Sequence, residues 1–125
     1  MSTEPLTSLP KNFLRPCLLL LLREQPAHGY DLVERLRAFG FSRDDPGRLY
    51  RALRALEDEG LVHSSWEKSR VGPDRRMYEL TRAGSESLHE EAQAIALVSE
   101  TLEAFLGRYE EFVAISRRRV AAGRR

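Results

Sequence analysis

The chain has 125 residues, of which 42% are hydrophobic, and its formal net charge is only +1. That length and composition suit one domain with a modest core. A single cysteine excludes an intrachain disulfide framework and is typical of a reducing compartment. The apolar run at residues 17–22 is too short to cross a bilayer, and no segment resembles a secretory signal. We therefore expect a cytoplasmic protein without membrane contact.

The amino-terminal region is expected to be a flexible arm, residues 1–10, followed by a first helix. Asn12 is a candidate N-cap, and the helix should extend to about Glu24. Its leucines occur on nearly every side, which predicts burial on more than one face. Cys17, set among these leucines, is predicted to be a buried and inert thiol.

A break at residues 25–29 separates this helix from a second one, predicted near residues 30–39 and ended by Gly40. His28 lies in the break and is expected to cap or turn the chain. None of the histidines has a companion at metal-ligand spacing, so no metal site is predicted.

The third predicted helix, residues 45–59, has the clearest sequence signals. Asp45 is a candidate N-cap, Pro46 suits the first helical position, and Gly60 suits a left-handed residue after the end. The residues outside its leucine stripe are candidate DNA-binding residues: Gly47, Arg48, Tyr50, Arg51 and Arg54. Cations at the electropositive start of a helix are unfavourable unless an anion meets them. This face is therefore either a DNA-binding surface or a solvated one.

Beyond the third helix the hydrophobic period changes to two, which predicts strands at residues 61–67 and 76–80. The loop between them contains Gly-Pro-Asp, a turn sequence. Residues 67–76 are called the wing, and its cations are candidate phosphate contacts: Lys68, Arg70, Arg75 and Arg76. Two roles stay open: Tyr50 either contacts phosphate or braces the wing, and Trp66 either forms a ligand platform or covers the seam between sheet and helix.

One long helix is predicted from residue 82 to about residue 122, with Thr81 as its cap, or about 60 Å at 1.5 Å per residue. Its apolar residues follow a heptad repeat, which predicts packing against the same helix of a second subunit. The predicted dimer interface comprises Leu88, Ile95, Val98, Leu102, Phe105, Leu106, Tyr109 and Phe112. Of these, Phe105, Tyr109 and Phe112 either line an effector pocket at the dimer centre or form aromatic core without a ligand.

The predicted fold is mainly α with a small β-hairpin, in the order of a winged helix-turn-helix protein. In such proteins the third helix enters the major groove and the wing lies over phosphates. The predicted divisions are an arm (1–10), a winged helix-turn-helix domain (11–81), a dimerisation helix (82–122) and a basic tail (123–125). The alternative is a winged-helix protein-interaction module without sequence-specific DNA binding. No enzyme and no cofactor are predicted, because the sequence offers no nucleophile–base set, phosphate loop or metal cluster.

Four segments in combination resemble the PadR family of bacterial transcriptional regulators. They are HGYDL at 28–32, GRLYRAL at 47–53, LEDEGLV at 56–62 and GPDRRMYELTRAG at 72–84. The resemblance covers roughly residues 12–84, and it implies a repressor that binds double-stranded DNA as a homodimer and responds to a small-molecule effector. Shorter segments at 10–14, 39–41 and 65–67 resemble the branch described as polyhydroxybutyrate-responsive repressors.

Two positions depart from that family pattern. Arg48 and Arg51 stand where the family usually has Thr and Pro. Because both lie on the face expected to meet DNA, an operator sequence cannot be carried over from the family. Each arginine either contacts bases or phosphates, or pairs with Asp44 or Asp45.

Overall fold

A computed structural model describes residues 12–42 and 45–123 and has the predicted order of elements, with one strand added. The helices are α1 (Leu14–Glu24), α2 (Gly29–Arg35), α3 (Pro46–Asp58) and α4 (Arg82–Gly123), and a 3-10 turn (Leu36–Phe39) follows α2. The strands are β1 (Ala27–His28), β2 (Val62–Glu67) and β3 (Arg75–Leu80). The predicted arm and the last two residues of the predicted tail lie outside the described residues.

The sheet has three strands, whereas the sequence predicted two. β3 lies in the centre and pairs antiparallel with both β1 and β2. β1 consists only of Ala27 and His28, which lie opposite Tyr78 and Met77. Two residues are too few for an alternating pattern, so their assignment to a break was wrong. β1 forms because its backbone groups pair with those on the second edge of β3.

Capping interactions confirm the predicted limits of α3 and the start of α4. Asp45 accepts a hydrogen bond from the Arg48 backbone N–H over 3.1 Å, and Gly60 has a left-handed φ of 77°. Thr81 Oγ1 accepts from the Gly84 N–H over 3.0 Å. These residues therefore hold the two helix ends as their sequence predicts.

The first two helices give one correction and one confirmation. Phe13, not Asn12, occupies the N-cap position of α1, and Asn12 has a φ of 64° outside the helix. The predicted Asn12 cap is therefore wrong. Gly40 has a φ of 88° and ends the second helical segment as predicted.

The core lies between the leucine faces of α1, α2 and α3 and the inner face of the sheet. Its most deeply buried side chains are Leu18, Leu19, Leu32, Leu53 and Leu56. Cys17 is buried beside them, as predicted, and burial raises the pKa of its thiol to about 11. Tyr78 is buried as well, and burial raises the pKa of its hydroxyl. Cys17 therefore contributes packing, since it carries almost no thiolate at neutral pH.

Residue contacts divide the chain into two compact units, one ending at Glu90 and the other beginning at Glu91. This boundary falls inside α4, later than the predicted domain boundary before residue 82. Leu88, predicted for the dimer interface, packs partly against the core of the first unit. The other predicted interface residues are exposed on the second unit: Ile95, Val98, Leu102, Phe105, Leu106, Tyr109 and Phe112. None of the helices within the described ranges is long and apolar enough to cross a membrane.

Candidate nucleic-acid interface

The first turn of α3 brings two arginines together around Asp45. One carboxylate oxygen of Asp45 caps the helix through the Arg48 N–H, and the other lies 3.9 Å from a terminal nitrogen of Arg51. The Arg48 guanidinium lies 5.7 Å from the centre of the Phe41 ring, in cation–π contact. Asp44, the other predicted partner, lies outside the described residues.

The Arg51–Asp45 pair leaves Arg51 available to a stronger anion. The Arg51 side chain is 74% exposed, and the 3.9 Å separation is long for an ion pair. Exposed pairs contribute only about 0–1 kcal/mol, because water screens the attraction. A phosphate or a guanine edge can therefore replace Asp45 at little cost, so both predicted roles of Arg51 are compatible with the geometry.

Tyr50 belongs to α3, and its ring packs against Gly29 at the start of α2. The residue remains about half exposed. Two open hollows share Tyr50, Arg76 and Tyr78 in their linings. The first, of about 460 Å³, is also lined by Gly47, Arg51, Arg54 and Glu57. The second, of about 510 Å³, is also lined by His28, Gly29, Tyr30, Asp31 and Arg75. The cations of α3 and β3 thus border one continuous surface around Tyr50.

The wing turn is held by its own polar groups. The Ser69 backbone N–H donates to Asp74 over 3.3 Å, and its hydroxyl donates to the Val71 carbonyl over 2.6 Å. Gly72 has a φ of 93°, which disfavours any other residue at this turn. The wing cations Lys68, Arg70 and Arg75 are exposed, and they form no ion pair within residues 12–42 and 45–123. These three are therefore available to phosphates.

Arg76 differs from the other wing cations because it is already paired. Its Nε donates to Ser64 Oγ over 2.9 Å, and a terminal nitrogen lies 3.7 Å from the Glu57 carboxylate. Its guanidinium also lies 5.3 Å from the centre of the Trp66 ring. Trp66 itself is 65% exposed, so the expectation that it covers the seam between sheet and helix is wrong.

Two carboxylates anchor the carboxyl-terminal end of α3. Glu59 accepts two hydrogen bonds from Arg15 of α1, over 2.6 and 3.0 Å, and these lower the pKa of Glu59. Glu57 accepts from both the backbone N–H and the hydroxyl of Ser64 on β2, and the bond from the hydroxyl is the main cause of its lowered pKa. The two acids therefore bind separate partners and fix α3 to its neighbours.

His28 and Tyr30 lie at the edge of this surface. His28 Nε2 is 3.3 Å from Glu67 and Nδ1 is 3.5 Å from Asp31, so the ring links β2 to the first turn of α2. Tyr30 was not among the predicted site residues, yet it is 73% exposed and lines the second hollow. Its position outside the apolar stripe of α2, directly after Gly29, was the available signal. Across the described ranges, no three His, Cys, Asp or Glu side chains are grouped to hold a metal ion.

A sequence profile of the transcriptional regulator PadR-like family matches residues 18–90, which contain most of α1, all of α2, α3 and the sheet, and the start of α4. A PadR-like transcriptional regulator from Bacillus cereus is 31% identical with a TM-score of 0.68, and the match covers 77% of this chain and 93% of that one. A PadR family transcriptional regulator from Eggerthella lenta is 29% identical with a TM-score of 0.71, covering 83% and 90%.

A third similar structure was solved with nucleic acid. It is Bacillus subtilis PadR in complex with operator DNA, which is 27% identical with a TM-score of 0.59. The match covers 66% of this chain and 48% of that protein, so this chain spans about half the length of that relative. Among proteins with curated functions, none matches this sequence significantly.

Proposed function

This chain belongs to the PadR-like family of transcriptional regulators, and on that premise we propose that it is a homodimeric repressor of specific DNA sites that a small-molecule effector releases. α3 enters the major groove and the wing lies along the phosphates, as in other winged helix-turn-helix proteins. The observation that carries the proposal is the continuous basic surface around Tyr50, which joins the cations of α3 to those of β3.

Recognition of the DNA base sequence is assigned to the start of α3. Arg48 and Arg51 are three positions apart and so project from the same side of the helix. The first turns of this helix are the part that reaches base edges in helix-turn-helix proteins. An arginine there most often forms two hydrogen bonds with guanine, which discriminates against a wrong base by about 1–3 kcal/mol. Tyr50 and Arg54 support this contact from the same surface, and Gly47 lets the backbone approach closely.

Phosphate binding is assigned to the wing. Lys68, Arg70 and Arg75 are exposed cations of the wing, and phosphate contacts supply most of the affinity that does not depend on sequence. The net charge of +1 is compatible with DNA, because the acids are concentrated elsewhere. Residues 83–111 contain seven glutamates and one arginine. Only the docking surface has to be basic.

The dimer is proposed to form through the part of α4 that lies in the second compact unit of the chain. Phe105 and Phe112 are each 66% exposed in the single chain, and a continuous apolar stripe of this kind requires a partner surface. A second copy is the simplest partner, since the heptad spacing is self-complementary. Six apolar side chains between Ile95 and Phe112 would contribute about 9–18 kcal/mol per chain before the cost of association.

The effector is assigned to the aromatic residues of the same stripe. Phe105, Tyr109 and Phe112 would approach their copies at the dimer centre, and a ligand between them would change the spacing of the two α3 helices. The narrower resemblance to polyhydroxybutyrate-responsive repressors stays a prediction about the nature of this effector, because the family match does not separate that branch.

The experiment that tests the proposal is footprinting on the DNA upstream of the protein's own coding region, repeated at several salt concentrations. A dimer with about 6–10 phosphate contacts should lose roughly 10³–10⁵ in affinity between 50 and 200 mM salt. Protection of an inverted repeat with that salt dependence supports the proposal. Absence of protection on any fragment, with binding that does not respond to salt, would favour a protein-interaction module instead.

A further inference from the structure

Arg76 bridges two elements that must act together on DNA. It lies on β3, its Nε donates to Ser64 on β2 over 2.9 Å, and it forms an ion pair of 3.7 Å with Glu57 on α3. Its guanidinium also covers one side of the Trp66 ring at 5.3 Å. Its Nε and one terminal nitrogen are directed at these partners, so fewer of its five N–H donors are left for a phosphate than on Arg70 of the wing turn.

Ser64 completes the connection between the two charged residues. Its hydroxyl donates to Glu57 and accepts from Arg76, and its backbone N–H donates to Glu57 over 3.1 Å. A hydroxyl has one donor and two acceptor sites, so this arrangement uses its single proton. Hydrogen bonds with an ionised partner are stronger than neutral ones. Glu57, Ser64 and Arg76 therefore form a continuous charge-assisted chain from α3 to the sheet.

The alternation of side chains along β3 explains why its two adjacent arginines differ. Successive strand residues point to opposite faces, so Arg76 shares its face with the buried Tyr78 and lies on the side of α3. Arg75 lies on the alternate side of the strand, opposite Glu67 in the β2 pairing, and it lines the second hollow but not the first. Two neighbouring cations of the same type thus have different surroundings.

We propose that Glu57, Ser64 and Arg76 form a latch that sets the position of the wing relative to α3, and that Arg76 acts on DNA as a positioning residue and not as a phosphate contact. This inference rests on the proposed DNA-binding function. A wing that is held before binding does not have to be ordered during binding, which increases affinity without any added contact. The latch also makes the helix and wing contacts interdependent.

Three substitutions break the latch with different effects on charge: Arg76→Gln removes a cation, Glu57→Gln removes an anion, and Ser64→Ala removes neither. The latch predicts that each weakens operator binding by a similar factor, about 2- to 10-fold, without changing the slope of log Kd against log salt. A phosphate contact by Arg76 predicts a slope reduced by about 1 per protomer for Arg76→Gln. It also predicts tighter binding for Glu57→Gln, because a negative charge leaves the DNA-binding surface.

Neighbouring positions supply matched controls. Arg75→Gln removes a cation outside the latch and should reduce the salt slope, and Asp58→Asn removes an acid outside the latch and should not weaken binding. The double variant of Glu57→Gln and Arg76→Gln should bind about as well as either single variant, because both remove the same unit. Additive losses, a smaller salt slope for Arg76→Gln, or tighter binding by Glu57→Gln would overturn the latch.

Trp66 gives a readout that needs no DNA, since it is the only tryptophan of the chain. Ser64→Ala and Glu57→Gln both retain Arg76 but remove groups that hold its guanidinium over the Trp66 ring. Both should therefore increase the quenching of Trp66 fluorescence by acrylamide. Unchanged quenching in both, with thermal melts showing folded protein, would overturn the latch. Increased quenching in a protein that binds no DNA would refute the proposed function instead and confine the latch to stabilising the wing.

Discussion

The ring of Tyr50 on α3 occupies the space that a side chain at Gly29 of α2 would need. A Cβ at position 29 would lie 2.6 Å from Tyr50 Cε1 and 2.8 Å from its hydroxyl oxygen, closer than real contacts allow. The missing side chain at the start of one helix therefore determines where the aromatic ring of another helix lies. This ring stands at the centre of the proposed DNA-binding surface, so the contact connects the helix-turn-helix packing to function.

Gly29→Ala should displace the Tyr50 ring and weaken operator binding by about the same factor as Tyr50→Ala. Gly107→Ala is the matched control, since within residues 12–42 and 45–123, and apart from the adjacent backbone of its own helix, no atom lies within 4 Å of the Cβ it would add. This control should leave DNA binding unchanged and stabilise α4 by up to about 1 kcal/mol, because alanine is the better helix former. Titration of labelled operator with each variant makes the comparison. Wild-type affinity for Gly29→Ala would show that the ring position does not matter.

Arg48→Ala and Arg51→Ala should relax sequence preference at a symmetric pair of guanines, each by about 1–3 kcal/mol. Arg70→Ala on the wing should weaken all sequences alike and reduce the salt slope. Binding-site selection on the wild type and the three variants separates the two effects. If both α3 variants keep the wild-type motif and lose only overall affinity, these arginines hold phosphates or Asp45, and specificity lies elsewhere.

Leu102→Glu should dissociate or unfold the dimer, because it places an unpaired charge among apolar side chains. Gln93→Glu introduces the same residue on the outer face of the heptad and should leave the dimer intact. Sedimentation at micromolar concentration distinguishes these states. A wild-type protein that sediments as a folded monomer would contradict the interface.

Stability should fall in acid partly through Glu59. Its hydrogen bonds from Arg15 lower the pKa of Glu59 below its ordinary value of 4.5. A lowered folded pKa stabilises the protein fully above the unfolded value, and this stabilisation is lost as the pH falls through the folded pKa. Glu59→Gln should therefore have a lower melting temperature than the wild type at pH 7. The loss in free energy of unfolding should be less than about 1 kcal/mol, because the pair is half-exposed. The two melting curves should converge as the pH falls below 4.5 and through the folded pKa of Glu59, and a constant difference at every pH would exclude this cause.

Local signals in the sequence predicted the elements of the site well. Asp45 caps α3, Gly60 follows its end in the left-handed region, and Thr81 starts α4, as expected. Each of these features depends on groups a few residues away, so the linear order of residues contains the information. Strand β1 was missed because its two residues carry no periodic pattern and pair only where β3 already exists.

The sequence by itself determined the limits of α3, the start of α4, the buried leucine faces and the basic character of α3 and the wing, since periodicity, capping and charge are properties of neighbouring residues. Only the tertiary structure decided which wing cation is already paired, because Arg76 differs from Arg75 through its strand face and through partners on two other elements. The tertiary structure also decided that Trp66 is exposed with the Arg76 guanidinium against its ring, and that the Tyr50 ring packs against Gly29. These relations depend on strand register and helix packing, which bring together side chains that are distant along the chain.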